Sequence, residues 1–478
     1  VGILTPKEML EGFSNKGMIT VAMLFLVSEG VRQSGALGQL IKKLLPEGKT
    51  TVFKAQARML PPVAFVSAFL NNTPVVVIFA PIIKRWAEAV RLPATKFLIP
   101  LSYVTILGGI CTLIGTSTNL VVHGMILEAG FEGFSMFELG KVGIFIAIAG
   151  IIYIFLFSKR LLPDARPDTA VPDEEVEEGE KLHRVEAVLG ARFPGINKKL
   201  KDFNFQRHYG AEVKEIKTRN GQRFVSNLEE VVLHEGDTLV VMADDTFIPT
   251  WGESSVFVLL TNGNEPDTTG KKKRWFALLL LVLMIVGATV GELPVTKEMF
   301  PDIKLDMFFF VSITTIIMAW TNLFPARKYT KYISWDILIT IACAFAISKA
   351  MVNSGVADSV AKFIIGLSDD YGPHVLLAMV FIITNLFTEL ITNNAAAALS
   401  FPIALEVANH LGVSPTPFFV VICMAASASF STPIGYQTNL IVQGIGGYKF
   451  TDFVKIGLPL NIIVFVLSVF LIPLFWNF

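Results

Sequence analysis

The sequence has few of the residues that mark a soluble enzyme or a disulfide-stabilised protein. Only 17% of its 478 residues are charged, against about 25% in an average soluble domain. Its three cysteines lie in separate apolar runs without metal-like spacing, so neither a disulfide framework nor a zinc site is supported. Lys+Arg and Asp+Glu both number 40, so there is no overall basic field for nucleic acid. A glycine-rich phosphate loop, a nucleophile elbow and a catalytic dyad are also missing, so we do not expect an enzyme.

Apolar residues are abundant instead, at 53% of the chain. A hydrocarbon core of about 30 Å takes roughly 20 helical residues to cross. Two apolar segments, 59–83 and 375–404, each carry polar residues in the middle. This predicts two re-entrant hairpins, each with a helix, a polar tip and a second helix. Uninterrupted apolar stretches predict spans at 17–35, 98–123, 141–158, 275–293, 307–325, 335–353, 417–443 and 454–476.

Segment 161–274 has a different composition, because 37 of the 80 charged residues (40 basic plus 40 acidic) lie within it. An acidic, proline-containing linker opens it, and strand-like runs at 185–188 and 237–242 follow. Asn220 and Gly221 stand between two alternating runs, a strong hairpin signal. We therefore predict a small cytoplasmic α+β domain with its core at 181–250. It separates transmembrane segments 1–160 and 275–478.

These two transmembrane segments are predicted to be repeats. The run TLIGTSTNLVVHG, beginning at Thr112, matches TPIGYQTNLIVQG, beginning at Thr432, at eight of thirteen positions. At nearly the same offset, Ser67 corresponds to Thr388 and Asn72 corresponds to Asn393. Two spans precede the second repeat and none precedes Gly17, so we expect one or two further spans before Val1.

Loop charge predicts that the repeats are inverted in the membrane. The stretch 36–58 carries five basic residues and one acid, whereas the matching stretch 356–374 carries three acids and one base. Short loops rich in lysine and arginine stay cytoplasmic. Matching loops should therefore lie on opposite sides of the inner membrane, with Lys42 and Lys43 inside and Asp369 and Asp370 outside. Inverted repeats are typical of secondary transporters.

Four polar interruptions are the candidate site, because irregular backbone at membrane depth is tolerated only around a protein cavity. Two are the hairpin tips, where Thr73 and Asn394 are predicted N-caps of the returning helices. Helix N-termini favour an anion. The other two are breaks beginning at Gly115 and Gly435, whose carbonyl, hydroxyl and amide oxygens suit sodium. Helix packing by polar and small residues is the structural alternative.

With these tips and breaks the chain resembles the divalent anion:sodium symporter (DASS) family. The resemblance implies a polytopic helical protein, two sodium sites, an elevator mechanism and a homodimer. Implied sodium ligands are Ser67, Asn71, Asn72 and the Gly115 backbone at one site, and Thr388, the Ile391 backbone, Asn393 and the Gly435 backbone at the other. Implied substrate contacts are Asn71, Asn72, Thr73, Thr116, Ser117, Thr392, Asn393, Asn394, Tyr436 and Gln437. Supporting residues are Thr118, Asn119, Thr438, Asn439 and Glu389.

The sequence departs from that family at both tips, where Asn-Asn-Thr and Thr-Asn-Asn replace the usual Ser-Asn-Thr. Ser117-Thr118 and Gln437-Thr438 stand where many dicarboxylate carriers have prolines. Since only neutral donors line the tips, we favour sodium-coupled sulfate uptake. The alternatives are a dicarboxylate carrier and a proton-coupled or efflux carrier of oxyanions.

The inserted domain resembles the TrkA-C (RCK-C) module of ion transport proteins. This resemblance implies a small-molecule regulator and keeps open a different class of function, an ion channel gated by its cytoplasmic module. No TVGYG-type filter is recognisable in the sequence.

Overall fold

The computed structural model describes residues 2–164, 182–190, 192–218, 222–244, 247–251, 256–261, 271–300, 303–366 and 372–478. Helices dominate the fold, and five strands form one sheet between the two sets of apolar helices. The first helices are α1 (Pro6–Glu11), α2 (Lys16–Gln33), α3 (Ala36–Leu44), α4 (Val52–Ser67), α5 (Asn72–Ala89), α6 (Leu98–Gly109), α7 (Ser117–Glu128) and α8 (Gly140–Leu161).

The sheet segment contains β1 (His183–Leu189), α9 (Phe205–Tyr209), β2 (Glu212–Lys217), β3 (Arg223–Phe224), β4 (Thr238–Ala243), α10 (Phe247–Trp251) and β5 (Phe257–Thr261). The later helices are α11 (Lys271–Gly291), α12 (Pro294–Met299), α13 (Met307–Trp320), α14 (Tyr329–Tyr332), α15 (Trp335–Asn353), α16 (Val356–Gly366), α17 (Gly372–Leu390), α18 (Asn393–Leu411), α19 (Thr416–Ser427), α20 (Gln437–Gly446) and α21 (Phe450–Phe475).

Several of these helices are long and apolar enough to cross a membrane unaided, which fits a multi-pass protein. Within the described ranges five meet this test, and a bent pair, Ala326–Tyr332 with Ile337–Asn353, would add a sixth. The five are Pro6–Gln33, Gly140–Leu161, Lys272–Gly291, Gly372–Leu390 and Phe450–Phe475. The predicted spans 98–123 and 417–443 are each two shorter helices separated by irregular backbone, as their polar interruptions indicated.

The two broken segments lie at the centre of the helical part. Every residue of α6 and every residue from Pro417 to Ser427 of α19 is buried. The hairpin helices α4 and α5 pack on α6, and α17 and α18 pack on α19. Large apolar side chains on the outer helices remain exposed, among them Ile148 on α8 and Phe470 on α21. An apolar exterior of this kind suits a lipid environment.

The sheet has the strand order β3-β2-β4-β1-β5 and is antiparallel throughout its recorded pairs. Both strand-like runs read from the sequence are strands, and β2 pairs with β3 as the hairpin signal predicted. The turn at Asn220 and Gly221 itself lies outside the described residues, as do Asp369 and Asp370. The fifth strand extends the sheet beyond residue 250, where the predicted core ended.

The two faces of this sheet are buried against different partners. Val185, Ala187 and Leu189 of β1 belong to the sheet segment's own apolar core. Val188 and Leu259, on β1 and β5, belong instead to the apolar core of the membrane helices. The sheet is thus enclosed between its own short helices and the membrane part of the protein.

Close contacts fix the sheet against α5 and α20. Lys84 of α5 donates to both carboxylate oxygens of Glu186 on β1, at 2.9 and 3.1 Å, and the two side chains are only 12% and 17% exposed. A Cβ atom on Gly444 of α20 would lie 2.7 Å from Thr238 Oγ1 of β4. Glycine therefore allows helix and sheet to approach closely.

Ionisation of Glu186 links this contact to pH. Burial acts to raise the pKa of Glu186, but Lys84 and Lys217 outweigh it and lower the pKa from 4.5 to about 2. A lowered pKa means that the carboxylate stabilises docking at neutral pH. That contribution is lost only as the pH falls from 4.5 towards about 2.

Reversing one charge of this pair should loosen the sheet. We expect Lys84→Glu or Glu186→Lys to weaken docking by about 1 to 3 kcal/mol, because each opposes like charges in a mostly buried contact. The double exchange should restore docking only in part, because Lys217 lies 3.5 Å from the Glu186 carboxylate and would oppose a lysine at that position. Limited proteolysis of the sheet segment in detergent would measure these changes, with Glu212→Lys as control, since Glu212 forms an exposed pair with Lys214. Wild-type digestion rates in both single variants would contradict the prediction.

Candidate functional site

Both hairpin tips are short turns between two helices. The helix after the first tip begins at Asn72 with Asn71 as N-cap, and the helix after the second begins at Asn393 with Thr392 as N-cap. Thr392 Oγ1 accepts from Ala395 N at 3.4 Å. The prediction that Thr73 and Asn394 are N-caps is therefore wrong, because each helix starts two residues earlier.

Proline does not prevent the earlier start of α5. The first four backbone N–H groups of a helix have no partner within it, so Pro74 fits in the first turn without losing a hydrogen bond. Asn72 and Asn393 are consequently first helical residues, and the side chains of Thr73 and Asn394 are free to contact other elements.

The two breaks are built from equivalent hydrogen bonds. Thr112 Oγ1 accepts from Gly115 N at 3.1 Å, and Thr432 Oγ1 accepts from Gly435 N at 3.2 Å. Each threonine also donates to the adjoining hairpin, Thr112 to the carbonyl of Ala68 and Thr432 to that of Glu389. The unwound backbone is therefore held by side chains from its own helix pair.

Asn119 and Asn439 support the breaks from inside the next helices. Each lies in the first turn of α7 or α20, so the irregular backbone of each break ends before it. Asn119 Nδ2 donates to Thr112 O at 2.9 Å, and Asn439 Nδ2 donates to Thr432 O at 3.1 Å. Thr438 is buried, with its hydroxyl 2.8 Å from Ser102 Oγ.

Each tip contacts the break of the other half. Thr73 Oγ1 donates to Gln437 Oε1 at 3.2 Å. Asn394 Oδ1 accepts from Ser117 Oγ at 3.2 Å and from Thr118 Oγ1 at 3.3 Å. The four interruptions, whose bonded residues lie as many as 364 positions apart in the sequence, therefore form one cluster at the N-termini of α5, α7, α18 and α20.

Tyr436 links three of the four interruptions. Its hydroxyl accepts from Asn72 Nδ2 at 2.6 Å and lies 3.1 Å from Thr116 Oγ1. Asn72 Oδ1 in turn accepts from Ser67 Oγ at 2.8 Å. These bonds form a chain from the first hairpin through the second break to the first break.

Oxygen atoms converge beside the first tip in the manner of a cation site. A Cβ atom on Gly109 would lie 2.7 Å from Asn72 Oδ1, 3.0 Å from Asn72 Nδ2 and 3.2 Å from the Gly115 carbonyl oxygen, so the two oxygens lie close to one point. The buried Ser67 hydroxyl adjoins them. Hard oxygen atoms of this kind suit a small cation, and Ser67, Asn72 and Gly115 are three of the four residues predicted for this site. The fourth, Asn71, lines a small cavity instead.

The second half has a comparable group of oxygens. Thr388 Oγ1 lies 2.8 Å from Asn393 Oδ1. A Cβ atom on Gly435 would lie 2.6 Å from the Thr388 carbonyl oxygen and still closer to Ser429 Oγ. Ser429 was missed in the sequence because its counterpart in the first half, Gly109, has no side chain. Ile391, predicted to contribute its backbone, directly follows α17, and its side chain is exposed.

The space between the first tip, the first break and α2 is narrow. A cavity of about 10 Å³ is lined by Ser28, Asn71, Ser117 and apolar residues of α2, which is barely room for one water molecule. A larger cavity of about 780 Å³ lies elsewhere, beside Lys42, Arg85 and Trp86. The cavity beside the first tip is therefore too small for an anion such as sulfate.

Comparison with known proteins identifies relatives along the whole chain. The profile of a family described as citrate transporter matches residues 1–406 and 295–478. An uncharacterized transporter of Synechocystis is 30% identical over 100% of this chain and 92% of its own length. A probable sodium/sulfate cotransporter of Chlamydomonas reinhardtii is 23% identical over 98% and 84%. A Na+/citrate cotransporter of rat is 30% identical over 30% and 25%.

The two tip asparagines are predicted to be equivalent centres of the site. Replacing Asn72 or Asn393 by Ala removes an oxygen from its cluster. Asn72→Ala also takes away the partner of the Ser67 hydroxyl, whereas Thr388 Oγ1 keeps its bond to Ala426 O at 2.6 Å. We expect a loss of about 1 to 3 kcal/mol, or roughly 5- to 150-fold in binding. Asn119→Ala and Asn439→Ala should have smaller effects of the same sign.

Uptake assays that vary sodium and substrate concentration would test this prediction. Asn409→Ala provides a matched control, since Asn409 is exposed near the far end of α18. Unchanged sodium and substrate dependence in correctly inserted Asn72→Ala and Asn393→Ala proteins would support a packing role instead.

Proposed function

Because the chain belongs to the citrate transporter family, we propose that it is a secondary active transporter that couples sodium entry to uptake of a small divalent anion. Sulfate is the favoured substrate. Relatives named sodium/sulfate cotransporters support both the coupling ion and the substrate class. The protein is a transporter rather than an enzyme.

The main support for this proposal is that the two hairpin tips and the two breaks lie together in one cluster. Four helices begin at one cluster, and each directs free N–H groups and a partial positive charge towards it. Asn72, Asn393 and the break hydroxyls add neutral donors. An anion bound there would be stabilised without a lysine or arginine, provided that cations balance its remaining charge.

The two oxygen clusters supply sites for those cations. Each pairs a hairpin hydroxyl with a tip asparagine, Ser67 with Asn72 and Thr388 with Asn393, at the same 2.8 Å separation. Two sodium ions flanking a dianion would leave the loaded site neutral. A low net charge reduces the cost of holding the site within a low-dielectric interior.

We further propose that the two halves are inverted in the inner membrane, with residues 161–274 in the cytoplasm. The basic loop around Lys42 and Lys43 and the matching acidic stretch around Asp358 support opposite orientations. Alternating access, by an elevator movement in a homodimer, would then expose one central site to each side in turn.

The side chain of Tyr436 favours a compact anion over a dicarboxylate. Two equivalent tips could each receive one carboxylate of an extended substrate. Tyr436 occupies the position that Thr116 has in the first half, and its hydroxyl already engages Asn72. The Tyr436 side chain thus occupies part of the space at the first tip. The remaining space suits a single tetrahedral oxyanion better than an extended dicarboxylate. A dicarboxylate or tricarboxylate carrier remains the second candidate, favoured by the family description and the rat relative.

The sheet segment is proposed to regulate transport in the manner of the TrkA-C modules that it resembles. It docks on α5 and α20, whose opposite ends carry Asn72 and Tyr436. A small molecule bound to the sheet segment could act on the site through these two helices. Deleting 181–250 should change the transport rate or its control, while the preference between substrates is unaltered.

Uptake by proteoliposomes would test the function directly. Sulfate, succinate and citrate should be supplied in parallel, with a sodium gradient, a proton gradient or neither. We expect saturable sulfate uptake that requires sodium. Preferred uptake of a carboxylate would support the second candidate, and ohmic single-channel currents would indicate a gated channel.

Substituting Tyr436 would test the substrate argument. Tyr436→Thr recreates the shorter side chain of Thr116, so preference should shift from sulfate towards succinate by about tenfold or more. Tyr436→Phe is the matched control, because it retains the ring and loses only the hydroxyl bonds. It should weaken uptake of all substrates with little change in preference. An unchanged succinate-to-sulfate ratio in Tyr436→Thr would contradict the size argument.

A further inference from the structure

Glu389 has a carboxylate at a position where the first half has an alanine, Ala68. It follows Thr388 at the end of α17, and its backbone carbonyl accepts from Thr432 Oγ1 at 3.2 Å. The corresponding bond in the first half runs from Thr112 to the carbonyl of Ala68. The backbone role is therefore common to both halves, whereas the carboxylate is present only in the second.

This carboxylate is bonded at one oxygen. Glu389 Oε1 accepts from Ser431 N at 2.9 Å and from Asn461 Nδ2 at 2.7 Å. Asn461 Nδ2 also lies 2.8 Å from Ser431 Oγ. Glu389 Oε2 and Asn461 Oδ1 are both buried and make no hydrogen bond to any described residue. Two oxygen acceptors thus remain unpaired in one small cluster.

The cluster lies deep in the membrane part. Asn461 is 6% exposed and lies near the middle of α21, which is long and apolar enough to span the bilayer. Among the described residues, no lysine, arginine or histidine forms an ion pair with Glu389. An uncompensated carboxylate at this depth is costly, and intramembrane acidic groups commonly mark ion pathways.

We propose that Glu389, Asn461 and Ser431 form a further sodium site, in addition to the two that the repeats share. This inference rests on the proposed function. Carboxylate, carboxamide and hydroxyl oxygens are hard ligands suited to a small cation. Thr388 belongs to the neighbouring sodium cluster and directly precedes Glu389, so occupancy of the new site would stabilise the second tip as well.

Charge balance gives the site a measurable consequence. Two sodium ions neutralise a dianion, and a third neutralises the fixed carboxylate of Glu389. Because the carboxylate stays with the protein, each cycle then moves one more positive charge than negative charge. Transport by the wild-type protein should therefore be accelerated by an inside-negative membrane potential.

Glu389→Gln separates sodium binding from simple hydrogen bonding. Glutamine keeps the acceptor oxygen and has the shape of a protonated glutamate, but it lacks the charge. In proteoliposomes we expect this variant to carry one sodium fewer per anion than the wild type, measured as the ratio of labelled sodium to labelled sulfate. Its uptake should also lose the response to potential set by a potassium gradient.

Glu29→Gln is a matched control. Glu29 is also largely buried in a membrane helix, but Arg32 donates to it at 2.6 and 2.7 Å. Its substitution should therefore leave the sodium-to-sulfate ratio and the response to membrane potential unchanged. If Glu389→Gln does not insert, Asn461→Ala should raise the sodium concentration for half-maximal uptake by about fivefold or more without changing the sulfate-to-succinate preference.

Different results would refute the Glu389 sodium site and the proposed transport function. An unchanged sodium ratio and voltage response in Glu389→Gln would overturn the site and assign Glu389 a hydrogen-bonding role as a protonated acid. Loss of the voltage response with an unchanged sodium ratio would also overturn it, in favour of a proton. Failure of the wild-type protein to take up any anion with sodium would instead refute the proposed function.

Discussion

The need to satisfy polar groups away from water determines how the centre of this protein is built. Four chain interruptions expose backbone N–H and carbonyl groups among helices whose residues are otherwise apolar. The protein meets this need by pairing each interruption with another. Tyr436 is the clearest case, because its one hydroxyl engages Asn72 and Thr116 and so links three interruptions. Any movement that opens the site must exchange these bonds for bonds to ions and substrate.

That exchange gives a physical reason for coupling. An empty site with its tips apart would leave the acceptors of Asn72 and Asn393 and several helix N-termini unpaired, at about 1 to 3 kcal/mol for each group. Cations restore partners for the oxygens, and an anion restores partners for the N–H groups. Neither alone satisfies both sets. Bound sodium is therefore expected to raise the affinity for the anion, and the bound anion is expected to raise the affinity for sodium.

The sequence contained enough information to predict the interruptions but not their detailed geometry. Asn-rich tips and glycine-containing breaks are local patterns, and both kinds of break are present where the pattern predicted them. Helix starts were misplaced by two residues at Thr73 and Asn394, because a polar residue before proline or alanine fits more than one N-terminal position. Pairings such as Thr73 with Gln437 depend on tertiary packing over 364 residues, which no local pattern encodes. Ser429 was missed because its role becomes visible only beside the oxygens of another helix.

Some residues of the breaks and tips are the same in both halves, and others differ. Equivalent bonds at Thr112 and Thr432 show that the repeated framework forms the breaks in the same way twice. Among the positions that depart from that framework, Gly109, Ala68 and Thr116 correspond to Ser429, Glu389 and Tyr436. Ser429 and Glu389 each add a polar group, and Tyr436 places its hydroxyl on a longer side chain than Thr116 does; all three lie around the second tip or break. A symmetric framework can bind two identical ions. By itself it cannot distinguish a compact dianion from an extended one, and it cannot produce the net movement of one charge in each transport cycle. The asymmetric residues are therefore where selection for substrate and for charge movement would act.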